Sequence, residues 1–100
     1  LIDRGDLSKD IKIENVPIIQ RKIIHEANKN RKNVYVATNF LESMILNSYP
    51  TRAEVNDIYN TIEMGAKGLV LAAETAIGKN PVECVKILKK IIKVFKKNNA

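Results

Sequence analysis

Cysteine, aromatic residues and long apolar runs are all scarce in this 100-residue chain. A single cysteine, Cys84, excludes an internal disulfide and fits a reducing compartment, so the cytoplasm is the expected location. Cys84 shares a helical face with Ile87, Leu88 and Ile91, which points to a small buried side chain. No apolar run approaches the ~18 residues a bilayer requires, and no membrane span is expected. The chain begins at Leu1, inside an apolar stretch, as a piece of a longer protein would; the lack of a visible signal peptide therefore says nothing. Aromatics make up only 5% of the residues and are not interleaved with the lysines, so a base-stacking platform is excluded. The net charge of +6 then needs another home. It lies in the last helix and in Lys29-Asn30-Arg31-Lys32, both of which read as solvated faces, and nucleic acid is not an expected partner. There is no P-loop and no Gly-x-Gly-x-x-Gly. His25, the one histidine, falls off the apolar stripe of its helix and has no neighbours that suggest metal or nucleophilic chemistry.

What is present is a repeated pattern. Apolar residues are 45% of the chain, enough for the core of one small domain. Leu1-Ile2, Val34–Ala37 and Gly68–Ala72 read as strands, almost wholly apolar, as strands covered on both faces are. Residues 3–13 read as a polar loop. Pro17 suits the first turn of a helix whose buried face is Val16, Ile19, Ile23, Ile24 and Ala27, ending over Asn28 to Asn33. Leu41 to Leu46 reads as a short helix broken by Pro50. Thr51-Arg52-Ala53-Glu54 has capping-box spacing and opens a helix that buries Val55, Ile58, Tyr59 and Ile62, with Gly65 closing it. Asn80-Pro81-Val82-Glu83 repeats the cap. The helix after it buries Cys84, Ile87, Leu88, Ile91, Ile92 and Phe95 and turns Lys86, Lys89, Lys90, Lys93, Lys96 and Lys97 outward. The fold class is therefore α/β with parallel strands. Three β-α units cannot close a (β/α)8 barrel, which takes roughly 250 residues. They form part of one or a small open sheet.

Each strand ends in polar residues: Arg4-Gly5-Asp6, Ala37-Thr38-Asn39 and Ala73-Glu74-Thr75. Parallel sheets bind ligands beyond the carboxyl ends of their strands. Gly5 lets backbone N–H groups approach an anion, and Asp6 beside it offers a carboxylate to Mg²⁺, although a strand-to-loop turn explains both as well. Thr38 offers a hydroxyl to a substrate oxygen or serves the loop structurally. Glu74 and Thr75 either face the site or hold their loop.

Arg4-Gly5-Asp6-Leu7, Ala37-Thr38-Asn39-Phe40-Leu41-Glu42-Ser43-Met44, Pro50-Thr51-Arg52-Ala53-Glu54 and Glu74-Thr75-Ala76 with Gly78 and Pro81 resemble, in order and spacing, successive motifs of pyruvate kinase. The resemblance covers essentially residues 1–100, as one partial domain. It implies the sixth to eighth β-α units of that family's TIM (β/α)8 barrel, left incomplete by this chain. It also implies phosphoryl transfer from phosphoenolpyruvate to ADP, giving pyruvate and ATP. On this resemblance Asp6 is the Mg²⁺ ligand, Gly5 and Asp6 give N–H groups to the substrate carboxylate, and Thr38 stands beside the reacting carbon. Arg52, Glu42 and Glu74 support the site near a subunit contact of a homo-oligomer. The family's K⁺ site, nucleotide contacts and phosphate-binding lysine fall outside the chain, which alone is expected to be inert. A divergent ligand-binding relative and a structural or interaction module are the competing readings; a Lys-x-Glu on the preceding strand separates them from a working kinase. Departures from the family are Asp3 for Ala, Ser8 for Gly, Asn39-Phe40 for Gln-Met and Ala72-Ala73 for Ser-Gly. An unpaired Asp3 at 4 Å from an anionic substrate would repel it by about 1–4 kcal/mol; pairing with Lys9 or Lys12 is the alternative.

Overall fold

Three short apolar runs pair into one parallel sheet in the order β1-β2-β3: β1 is Ile2–Asp3, β2 is Tyr35–Ala37 and β3 is Gly68–Val70. The computed structural model describes residues 1–37, 40–71 and 77–99, Ser8 by its backbone alone. Register places Ile2 beside Val36 and Val36 beside Leu69, so one face carries these three apolar side chains toward the helices. Ile2 and Val36 are buried there. On the opposite face Tyr35 pairs with Gly68 and Ala37 with Val70. Here the expectation of a doubly covered second strand fails, because Tyr35 is 44% exposed and Val70 39%. Parallel strands bury both faces only when something stacks on each, and among the described residues helices cover one side. The Tyr35 ring lies over Gly68, where an added Cβ would come within 2.6 Å of it. With β1 and β3 at its edges the sheet is open, as expected for part of a barrel.

Among the described residues, four α-helices accompany these strands. Helix α1 spans Arg4–Asp10, α2 Val16–Lys29, α3 Arg52–Glu63 and α4 Pro81–Asn98. Helix α1 corrects the expectation of a loop over residues 3–13. Asp3 caps it through its side chain, Asp6 stands in its first turn and Lys9 in its last, an order that suits the helix dipole. Helix α2 begins and ends where expected, but its buried residues are Gln20 and Ile24, with Ala27 half-buried, and Ile23 is 39% exposed. Gln20, Ile24 and Ala27 recur at i, i+4 and i+7, and Ile23 lies a quarter-turn off that line. Gln20 sits within reach of Met64 Sδ at 3.8 Å.

The expected short helix at Leu41–Leu46 is instead a single 3₁₀ turn, Glu42–Ile45. A segment this short gains little from the i→i−4 ladder and takes the tighter form, here with Leu41 and Met44 both buried. Helix α3 carries the full capping box, and Gly65 beyond it has φ +109°, a conformation glycine adopts without strain. Helix α4 packs on α3, where Tyr59 and Phe95 meet edge to face at 5.5 Å. Its six outward lysines are exposed and Cys84 is buried, as the stripe predicts. Asn80 makes no side-chain cap, however, and spans to Asn47 O instead. Ile2, Ile24, Val36, Phe40, Leu41, Met44, Ile58 and Cys84 form the core between sheet and helices. No helix among the described residues is long and apolar enough to cross a membrane.

Candidate functional site

Gly5 and Asp6 follow directly on β1 and form the first turn of α1, at the carboxyl end of the sheet. Their N–H groups have no partner within the helix, as at any helix start. Asp3 Oδ1 takes both, at 3.0 Å from Gly5 N and 3.3 Å from Asp6 N. The two donors expected to meet a ligand carboxylate thus already meet one from the chain. This settles how Asp3 behaves at the corner: it caps, and Lys9 lies 3.6 Å from Asp6. The Asp6 side chain is 74% exposed. Thr38 and Glu74, expected at the other two tips, lie outside the described residues, as do Asn39, Ala72 and Ala73. Among the described residues no three His, Cys, Asp or Glu side chains gather to hold a metal ion.

Arg4, the first residue of that tripeptide, points away from Asp6. Its Nη1 donates to both carboxylate oxygens of Asp57 on α3, at 2.8 and 2.9 Å. The same guanidinium carbon stands 4.1 Å from the centroid of Phe40, just past the tip of β2. A desolvated cation on an aromatic face contributes about 0.5–2 kcal/mol. Phe40 itself is fully buried. The chain thus places an aromatic ring under the arginine.

A second polar centre joins the 3₁₀ turn to α3. Glu54 Oε1 accepts from Thr51 N at 2.8 Å and from the Ser43 hydroxyl, while Oε2 accepts from Ser43 N at 2.9 Å. Thr51 Oγ1 in turn accepts from Glu54 N at 3.1 Å. Burial acts most strongly on this carboxyl and pushes its pKa up. The bonds from the Ser43 hydroxyl and amide and from Thr51 together outweigh it and leave the group below its ordinary value. The expected support residues Arg52 and Glu42 are both exposed and flank this joint rather than forming it. Lys79 N donates to Ile45 O at 3.0 Å and Asn80 Nδ2 to Asn47 O at 2.9 Å, which ties the stretch before α4 to the same turn.

Sequence reasoning found the capping role of Glu54. It missed Asp3 as a cap, although Asp at a strand end before a helix is itself a start signal. It missed Ser43 as the partner of Glu54 and Asp57 as the partner of Arg4. No local signal marks Asp57, which lies 53 residues from Arg4.

A family model described as the pyruvate kinase barrel domain matches residues 1–85. The chain is 53% identical over 97 residues to a pyruvate kinase of Thermotoga maritima, covering 97% of this chain and 21% of that protein. It is 48% identical over 94 residues to a pyruvate kinase of Methanocaldococcus jannaschii, covering 94% of this chain and 21% of that protein. A chloroplastic pyruvate kinase isozyme of Nicotiana tabacum is 47% identical over 88 residues, 88% of this chain and 16% of that protein. The chain therefore spans about a fifth of the length of such relatives.

Proposed function

The chain belongs to the pyruvate kinase family, and from that premise we propose that it supplies three β-α units of a catalytic barrel that transfers a phosphoryl group from phosphoenolpyruvate to ADP. The observation that carries this reading is the corner at Gly5 and Asp6, where two N–H groups at the carboxyl end of β1 already donate to a carboxylate. A substrate carboxylate suits the same donors. To use them it must share them with Asp3 or move that side chain aside.

Asp6 fits one position in the shell of a hard divalent cation, because its oxygens are exposed at the strand end and Mg²⁺ commonly takes one or two carboxylates and keeps several waters. Mg²⁺ held there supplies neutralisation of charge on the phosphate oxygens. The chain's own residues position the anion: Gly5 and Asp6 through their amides, Thr38 through a hydroxyl beside the reacting carbon. Arg52 and the turn at Glu42 lie toward the contact between subunits of a homo-oligomer, with Glu74 as a further support. The nucleotide and K⁺ are bound by other parts of the full enzyme, in the cytoplasm. Alone, the 100 residues are inert.

The test is pyruvate formation by the longest natural protein that carries this chain. We expect activity that needs phosphoenolpyruvate, ADP and Mg²⁺. Replacing Asp6 (Asp6→Ala) should lower it at least about 100-fold, the scale of losing a charge-stabilising group, and the isolated chain should show none. Full activity in Asp6→Ala would remove the assignment.

A further inference from the structure

Arg4 is the point where three elements meet. It opens α1 immediately before Gly5, its guanidinium rests on Phe40 beyond the tip of β2, and its Nη1 bonds Asp57 on α3. We propose that Asp57 is a positioning residue for the Gly5-Asp6 corner, acting through Arg4 against the ring of Phe40. This rests on the reading of that corner as the ligand-binding corner.

The geometry separates this role from an ordinary surface ion pair. Surface pairs are exposed, adjustable and nearly without effect; here the Arg4 side chain is only 17% exposed and that of Asp57 35%. Both Asp57 oxygens engage one Arg4 nitrogen, and the face of the guanidinium is set by a ring with no exposure at all. Asp57 stands on a seated element, since Ile58 beside it is fully buried and its own carbonyl accepts from Thr61 Oγ1 at 2.7 Å. While its guanidinium is held in this way, Arg4 tethers the backbone that continues directly into the amides of Gly5 and Asp6 to α3. Phe40 lies two residues past Thr38, so the same cation touches the flank of the second tip. Lys9 and Asp6, by contrast, form an exposed pair at 3.6 Å within one helix turn, which orders nothing beyond α1.

The experiment compares Asp57→Asn, Asp57→Glu and Phe40→Leu in the longest natural protein that carries this chain. A control, Ile62→Val, trims a half-buried contact of α3 away from the corner. All are assayed below the lowest thermal midpoint in the set. Asp57→Asn should raise the Mg²⁺ half-saturation and the KM for phosphoenolpyruvate roughly tenfold, short of the ~100-fold that a 1 Å misplacement costs. Backbone amide exchange at Gly5 and Asp6 should quicken in the same variant while exchange in α4 stays unchanged. Asp57→Glu should recover most of both effects, and Phe40→Leu should show a smaller version of them. The control should lower the thermal midpoint without moving either readout. The proposal is overturned if Asp57→Asn, or Asp57→Glu and Phe40→Leu should Asp57→Asn not fold, behaves as the control does. If the unsubstituted protein makes no pyruvate, the functional reading falls, and the exchange rates at Gly5 and Asp6 still decide whether Asp57 holds the corner.

Discussion

Two carboxylates one turn apart on α3 hold two different regions of the molecule. Glu54 closes a local joint, taking the amides of Thr51 and Ser43 within 11 residues of itself. Asp57 reaches across 53 residues to Arg4 and the corner after β1. The first is built from backbone donors and a hydroxyl, the second from a charged side chain and an aromatic face. The difference is one of reach. A helix start needs its own N–H groups satisfied, so Glu54 serves a demand that any helix makes. Nothing in α3 demands Arg4; that contact exists because the sheet brings β1 and α3 together.

Breaking the shared support should have the largest effect. Ile58, on the same helix directly after Asp57 and one turn past Glu54, is fully buried, and Ile58→Ala should cost about 2–5 kcal/mol. Denaturant unfolding of the intact protein, with local amide exchange, should show both the Ser43–Thr51 joint and the β1 corner loosened. Loosening of one alone would mean that α3 is not their common footing.

Glu54→Ala should be milder and confined to one region. It leaves two Ser43 donors and the Thr51 amide without their acceptor, a loss of about 1–3 kcal/mol. Faster exchange at 43–51 with unchanged exchange at Gly5 and Asp6 is the expected pattern. The effect should also depend on pH in a fixed direction. The folded Glu54 carboxyl titrates below its ordinary value of 4.5, so its stabilisation is present above that value and is lost as pH falls through the lower folded one. The stability gap between the unsubstituted protein and Glu54→Gln should therefore shrink in acid. A gap that is constant down to unfolding would show that charge plays no part in the joint.

Asp3→Ala should have the smallest effect on stability and the most informative sign. Loss of an N-cap costs about 0.5–2 kcal/mol, yet it vacates the Gly5 and Asp6 donors for a ligand and removes a like charge. A lower thermal midpoint together with a lower KM for phosphoenolpyruvate is expected. A higher KM would mean that Asp3 helps to shape the corner instead of competing for it.

Much of this was legible in local pattern. The capping box, the Gly65 exit, the outward lysines of α4 and the three strands all follow from spacings of a few residues, and the family motifs follow from order along the chain. Helix α1 was hidden because Asp3-Arg4-Gly5-Asp6 is polar and contains a glycine, which reads as a loop until Asp3 is seen to cap it. Ile23 was misplaced because it stands at the edge of the α2 stripe, where helical spacing alone does not say how far the covered face extends. The open face at Tyr35 was missed because an apolar strand reads the same whether or not anything covers its second side.

By itself the sequence determined the succession of β-α units, the capping box of α3 and the family, since each depends on neighbours within a turn or on motif order. Tertiary structure alone decided that Arg4 faces Asp57 and Phe40 and that Ser43 closes on Glu54. Contacts across long or irregular stretches depend on how parallel strands and their helices are brought together in space, and no local periodicity encodes that juxtaposition.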